Sequence, residues 1–341
     1  MYWVAPSTML ITLTFIFFSV DSQSIFYSGI EQIFKESAPL TVMALGIGLV
    51  LATGEVDISI SGVATITGVL FAILTNFLGG SILPYSVLFL FLSLIFAVAV
   101  GYSLGELSGS LIVNRKAPSL VTSWAVGGIL IIISGILANS GLIDFFESIN
   151  TSRKLTSVDL FEPTPSDFFE LPGKGFVLIL VILFSIISLI NFLWLDKRAQ
   201  AIGANADSAV YAGISPKKTI KATFIFCGCC AAISGVLTSF INNGAPSTIL
   251  GKELIAIAIA VLGGTALSGG YYNPYSIFCA SIFWSSLDWI SDTQSVEFLG
   301  EYQAYIPKLL FSVLLLAILF ITGARLGSQG LRNIYILPKT R

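Results

Sequence analysis

Long apolar runs, most of them near the roughly 20 residues a helix needs to cross a bilayer, alternate with short polar stretches along the chain. That rhythm predicts an all-α polytopic membrane protein. Ten spans are expected: Val4–Val20, Pro39–Thr53, Ser61–Phe77, Pro84–Gly105, Ser119–Leu137, Gly175–Leu195, Lys221–Ile241, Glu253–Ser268, Pro274–Ile290 and Tyr305–Gly323. The second and eighth are short. Each ends in a Gly-rich polar break, TGEVDISISG over Thr53–Gly62 and LGGTALSGG over Leu262–Gly270. Interrupted helices in corresponding places of two halves are the usual sequence pointer to a transport pathway.

One stretch stands apart, LDKRAQAIGANADSAVYAGISPKKTIK from Leu195 to Lys221. It carries Lys197, Arg198, Lys217, Lys218 and Lys221 between two apolar runs. Asn205 suits a helix N-cap, Asp207 the first turn and Gly213 the left-handed position past the end. Ile202, Ala206, Ala209 and Val210 fall at helical spacing, and Pro216 suits the first turn of the next helix. So short a helix is not stable alone in water and must pack against something.

Composition agrees with the pattern. Hydrophobic residues make up 55% of the 341 and charged residues 11%, with mean hydropathy +0.91. A soluble chain carries about a quarter charged residues. The sequence has no His, which removes His-based metal sites and triads. Cys227, Cys229, Cys230 and Cys279 lie in apolar runs without metal-ligand spacing and read as packing residues. No basic tract suggests nucleic acid. Neither a lysine-rich leader nor a small-residue cleavage site precedes Val4–Val20, which is expected to be a retained span. Trp124, Trp194, Trp284 and Trp289 fall near span ends, where aromatic belts are expected. Ala44, Gly46, Gly48, Gly101 and Gly105 read as close helix packing.

Orientation follows from the basic residues. With both termini cytoplasmic, the inside segments hold Arg115 and Lys116, the five cations of 195–221, and Arg325, Arg332, Lys339 and Arg341. The outside loop 138–173 then holds Asp144, Glu147, Asp159, Glu162, Asp167 and Glu170 against Arg153 and Lys154. Its phenylalanines suit a cap over the outer mouth, a docking surface, or a loop resting on the bilayer. The chain is thus one transmembrane domain, 1–341, with a cytoplasmic loop at 195–221 and a cytoplasmic tail at 324–341.

The candidate pathway residues come from the two breaks: Glu55, Asp57, Ser59, Ser61, Thr265 and Ser268. Ionisable groups at membrane depth are costly and usually functional, but Asp57 also reads as a helix cap through Asp-Ile-Ser-Ile-Ser. An ion-coupled secondary transporter using Glu55 and Asp57 is the rival reading. No nucleophile–base or metal constellation points to an enzyme.

Three segments carry a resemblance. Leu51–Leu74 resembles the "GGIDLSVG" segment of ribose-type monosaccharide permeases, the membrane subunits of bacterial ATP-binding-cassette importers. Ala201–Leu237 is similar to their central cytoplasmic loop, matching at Ile202, Gly203, Asn205, Ala209, Gly213, Ile214 and Gly235. Glu253–Gly270 looks like their "AAVVLGGTSLSGG". Glu55 and Ser61 stand where the family usually has Gly. Branched-chain amino acid and nucleoside permeases share the wider group.

The resemblance implies an inner-membrane, multi-pass permease that pairs with a second copy or a paralogue and receives a sugar from an extracytoplasmic solute-binding protein. It implies that separate ATPase subunits dock on Ile202, Gly203, Asn205, Asp207, Ala209, Gly213 and Ile214. The absence of GxxxxGK[ST] from the sequence fits that division: the chain itself needs no cofactor, and ATP is hydrolysed by its partners.

Overall fold

The computed structural model describes residues 6–9, 12, 23–79, 86–139, 194–241, 251–292, 305 and 309–317. Every regular element among them is helical: α1 (Gln23–Ala52), α2 (Ile60–Gly79), α3 (Ser86–Arg115), α4 (Ser119–Asn139), α5 (Leu195–Ala204), α6 (Ala206–Tyr211), α7 (Pro216–Ile241), α8 (Lys252–Leu262) and α9 (Pro274–Asp292). Among the described residues, four stretches are long and apolar enough to cross a membrane, Gly29–Ala52, Leu92–Arg115, Ser119–Ala138 and Pro216–Ser239, with Ile60–Leu74 a shorter apolar helix. Of the expected span Val4–Val20 only 6–9 and 12 are described, as helix; nearly all of Gly175–Leu195, loop 140–173 and tail 324–341 lie outside the described residues. Tyr305–Gly323 is described only in part, as helix over 309–317.

Helices α1 and α7 form the centre. The apolar window of α1 is 83% buried and that of α4 only 22%, which sets α1 inside and α4 at the rim. Leu120, Val121, Trp124, Ile129, Ile132, Ile133 and Ile136 of α4 are exposed, the pattern of a helix facing lipid. Small residues bring α7 close to its neighbours, as expected from the Gly pairs. A methyl group at Gly101 would strike Gly228 O, and one at Gly105 would lie 2.5 Å from Phe224 O. One at Gly46 would lie 2.9 Å from Cys230 Cβ, so the thiols of α7 pack on α1.

Several boundaries differ from the sequence expectation. α1 begins well before Pro39, which sits inside it. Proline removes one intrahelical bond, but Ile33 upstream is fully buried with Ile282, Trp289 and Ile290 of α9. That packing holds the upstream turns helical. α3 runs past Gly105 to Arg115 and is tied to α7 there by Lys221 Nζ to Glu106 Oε1 at 2.8 Å. α8 stops at Leu262, short of Ser268, because Gly264 takes φ 92. Of the tryptophans expected near span ends, Trp124 and Trp194 are 71% and 67% exposed, whereas Trp289 is 2% exposed. Trp289 fills the notch left by Gly29, and Trp284 meets Phe311 edge-on at 4.4 Å.

Candidate functional site

The basic stretch folds as two helices and a tight exit. Asn205 has φ −164, which no helix tolerates, so α5 ends and α6 begins there. Its side chain accepts from Ser208 N at 2.9 Å, the expected N-cap. At the far end Gly213 takes φ 80. Its N–H donates to Val210 O and that of Ile214 to Ala209 O, each at 2.9 Å. This paired closure satisfies two carbonyls that a helix end leaves open. Pro216 then opens α7. The break at Asn205 corrects the expected single apolar face: Ile202 and Ala209 are buried, while Ala206 and Val210 are exposed. α5 turns Leu195, Ala199 and Ile202 inward. Tyr211 on α6 is 93% exposed. Asp196, which sequence reasoning passed over, is buried in the first turn of α5, where the helix dipole favours an acid, 3.3 Å from Lys197 Nζ.

The first break is held by side chains. Asp57 Oδ1 accepts from both Ser59 N at 2.9 Å and Ser59 Oγ at 2.6 Å. Ser59 stands at the head of α2, where its carbonyl accepts Val63 N at 2.9 Å in the first backbone bond of the helix, while the Asp57 carboxylate holds the Ser59 N–H. The thiol of Cys227 lies within hydrogen-bonding reach of the Asp57 carboxyl. Two hydroxyls of α4 complete the anchoring: Ser119 Oγ accepts from Val56 N at 3.4 Å and Ser123 Oγ from Ile58 N at 3.1 Å.

The second break is held by backbone. Gly263, Gly264 and Thr265 donate back to Ile259 O, Val261 O and Ala260 O, closing α8. Gly264, Gly269 and Gly270 all have φ between 83 and 92, a region open to glycine at no steric cost. Beyond it, Tyr272 Oη donates to Leu45 O at 3.2 Å, and Asn273 Oδ1 caps α9 by accepting Tyr275 N at 3.1 Å.

The candidate pathway residues divide accordingly. Asp57, Ser59 and Ser61 come together, buried, at the start of α2, where Ser61 O accepts from Thr65 Oγ1 at 2.7 Å. Thr265 is 2% exposed, and its hydroxyl has no hydrogen-bond partner among the described residues. Ser268 is exposed, with its carbonyl beside Gly54. Glu55 points elsewhere, into a surface pocket of about 320 Å³ that it shares with Lys116, Ser119, Pro216 and Lys217. The three segments that carry the resemblance meet at one end of the bundle. There Gly270 N–H donates to Ala52 O at 2.9 Å, and Gly203 of α5 is so close that an added methyl would collide with Ala52 O. Sequence reasoning treated Gly54, Gly269 and Gly270 only as helix breakers. The signal for a contact was the run of glycines itself.

A family model described as the branched-chain amino acid transport system / permease component matches residues 29–323. The chain belongs to that family. It is therefore a transport permease and not an enzyme. It is 28% identical over 254 residues to the galactofuranose transporter permease protein of Escherichia coli (strain K12), covering 71% of this chain and 66% of that protein. It is 27% identical to the D-allose transport system permease protein of the same organism, covering 73% and 71%. It is also 27% identical to the L-arabinose ABC transporter permease protein of Azospirillum brasilense, covering 82% and 75%. These relatives are permease subunits of sugar transporters, as the resemblance implied. No solved structure matches the chain.

Proposed function

We propose that the chain is the membrane-spanning subunit of a bacterial ATP-binding-cassette importer that moves a monosaccharide inward across the cytoplasmic membrane. The observation that carries this reading is the α5–α6 pair. It combines an outward, exposed α6 with an inward α5 that rests on the end of α1 and on the second break. An ATPase subunit docking on α6 thereby gains mechanical access to the membrane segments. Arg115, Lys116, Lys197, Arg198, Lys217, Lys218 and Lys221 cluster at this same end of the bundle, as the cytoplasmic side requires. The topology has ten spans with both termini inside, and a second copy or paralogue completes the pathway. An extracytoplasmic solute-binding protein delivers the substrate. The docking surface is the outward side at Asn205, Asp207, Gly213 and Ile214, while Ile202, Gly203 and Ala209, which the sequence also pointed to, turn toward the bundle. The inner end of the pathway is framed by Glu55, Asp57, Ser59, Ser61, Thr265 and Ser268.

A monosaccharide is favoured by the sugars named for the relatives. The family description also names branched-chain amino acids. Reconstitution in proteoliposomes with an ATPase subunit and a binding protein tests the mechanism. Uptake is expected to require ATP. Uptake driven by an ion gradient with no ATPase present overturns the importer reading in favour of Glu55 and Asp57 as coupling carboxylates. An affinity screen of the binding protein over pentoses, hexoses, nucleosides and amino acids fixes the substrate class.

A further inference from the structure

Three segments far apart in sequence come into close backbone contact at the inner end of the bundle. The last turn of α1 offers Ala52 O to Gly270 N–H at 2.9 Å. Gly269 lies against both neighbours: a methyl group on it would come within 2.8 Å of Gly203 Cα and 2.9 Å of Gly54 N. Gly270 lies against the end of α5, where an added Cβ would stand 3.2 Å from Ala204 N and 3.4 Å from Ala204 Cβ. Gly203 closes the arrangement, since any side chain there would displace Ala52 O and Gly270 N together. Around this point Leu51, Ala52, Ala199 and Ile202 are buried. By contrast Gly213, at the exit of α6, has nothing within 4 Å of an added Cβ.

We propose that Gly203 is a positioning residue that clasps the end of α1 and the second break to α5, so that all three move as one rigid body when a partner pushes on α6. The proposal rests on the importer reading for the identity of that partner. A contact made of backbone has no rotamers to yield. Close-packed interiors transmit displacement, whereas a long side chain in the same place would absorb part of it. On this view Gly203 faces away from the ATPase and serves transmission, while docking belongs to α6.

The test has two arms in reconstituted transporter with ATPase and binding protein. In the first, Gly203→Ala is expected to retain the ATPase on co-purification and to keep hydrolysing ATP. Sugar taken up per ATP should fall about tenfold, the scale of a typical coupling between sites. An unchanged uptake-to-ATP ratio overturns the proposal, and so does loss of the ATPase on co-purification, because Gly203 would then serve docking. In the second arm Ala204→Cys is combined with Gly270→Cys. The 3.4 Å Cβ separation is close to that of natural disulfides, and each single variant controls for the substitutions and for the native thiols. A rigid body predicts equal uptake in the oxidised and reduced forms. Uptake that is lost on oxidation and regained on reduction means that the junction opens during the cycle, and this overturns the proposal even if Gly203→Ala does not fold. Failure of the importer reading registers separately, as ATP-independent uptake by the unsubstituted protein. The disulfide arm still reads the junction in that case.

Discussion

The two breaks occupy matching places in the bundle and are stabilised by opposite means. The first spends polar side chains on its open backbone: Asp57 on Ser59, and Ser119 and Ser123 on Val56 and Ile58. The second has almost none of these. It turns on glycines with positive φ and leans on Ala52 O and α5. Its one buried hydroxyl, that of Thr265, has no partner among the described residues. A side-chain cap fixes a helix end to its own neighbours. A glycine turn fixes nothing by itself and takes its shape from whatever lies against it. The first break is therefore an anchor to α4, and the second is a follower of α1 and α5.

This contrast fails most visibly at Gly269. Gly269→Val adds bulk where the backbone has φ 83 and two neighbours stand under 3 Å from a Cβ. A loss of about 3 kcal/mol is expected from strain and overpacking together, read as thermal unfolding of the purified protein in detergent. An unchanged midpoint would mean that the second break has room it is not expected to have.

Asp57 comes next. Asp57→Ala leaves Ser59 N–H without its acceptor and should cost about 1–2 kcal/mol, as cap losses do. Asp57→Asn keeps the oxygen that Ser59 uses and should cost much less. If Asp57→Asn is as stable as the parent yet transports poorly, the charge itself acts in transport and the anchor description is incomplete.

These distances also show what was legible beforehand. Asn205, Gly213 and Pro216 punctuate α6 as their chemistry dictates, because caps and left-handed turns are decided within a few residues. The glycine pairs of α1 and α3 were equally readable. The start of α1 was not, since Pro39 is a strong local stop signal overruled by Ile33 packing on distant α9. The meeting of Gly54, Gly203 and Gly269 was likewise invisible, because glycine advertises freedom of backbone and never the identity of its neighbour. Among the candidate pathway residues, the sequence grouped Glu55 with Asp57 by adjacency. The irregular backbone between α1 and α2 sends one to a surface pocket and the other into the core.

Two smaller effects sharpen the comparison further. Gly213→Ala meets open space, so only the backbone strain at φ 80 counts, about 1 kcal/mol. The expected readout is a frayed end to α6 and reduced uptake per ATP with substrate delivery outside intact. Thr265→Val removes a hydroxyl that bonds to nothing among the described residues and should leave stability unchanged or slightly raised. A clear loss there, in the same unfolding assay, would mean that the hydroxyl has a partner in the working protein and that the second break is not held by backbone alone.

The place of α7 has a consequence for biosynthesis. Its Ser234 hydroxyl donates to Pro39 O at 2.9 Å and its Ser239 hydroxyl to Gly68 O at 3.1 Å, and its glycine seam fits α3. All of these acceptors and surfaces emerge from the ribosome before α7 does. Entering the bilayer later, α7 finds its polar partners already in place among α1, α2 and α3. The order of synthesis thus spares the membrane a helix with unsatisfied hydroxyls.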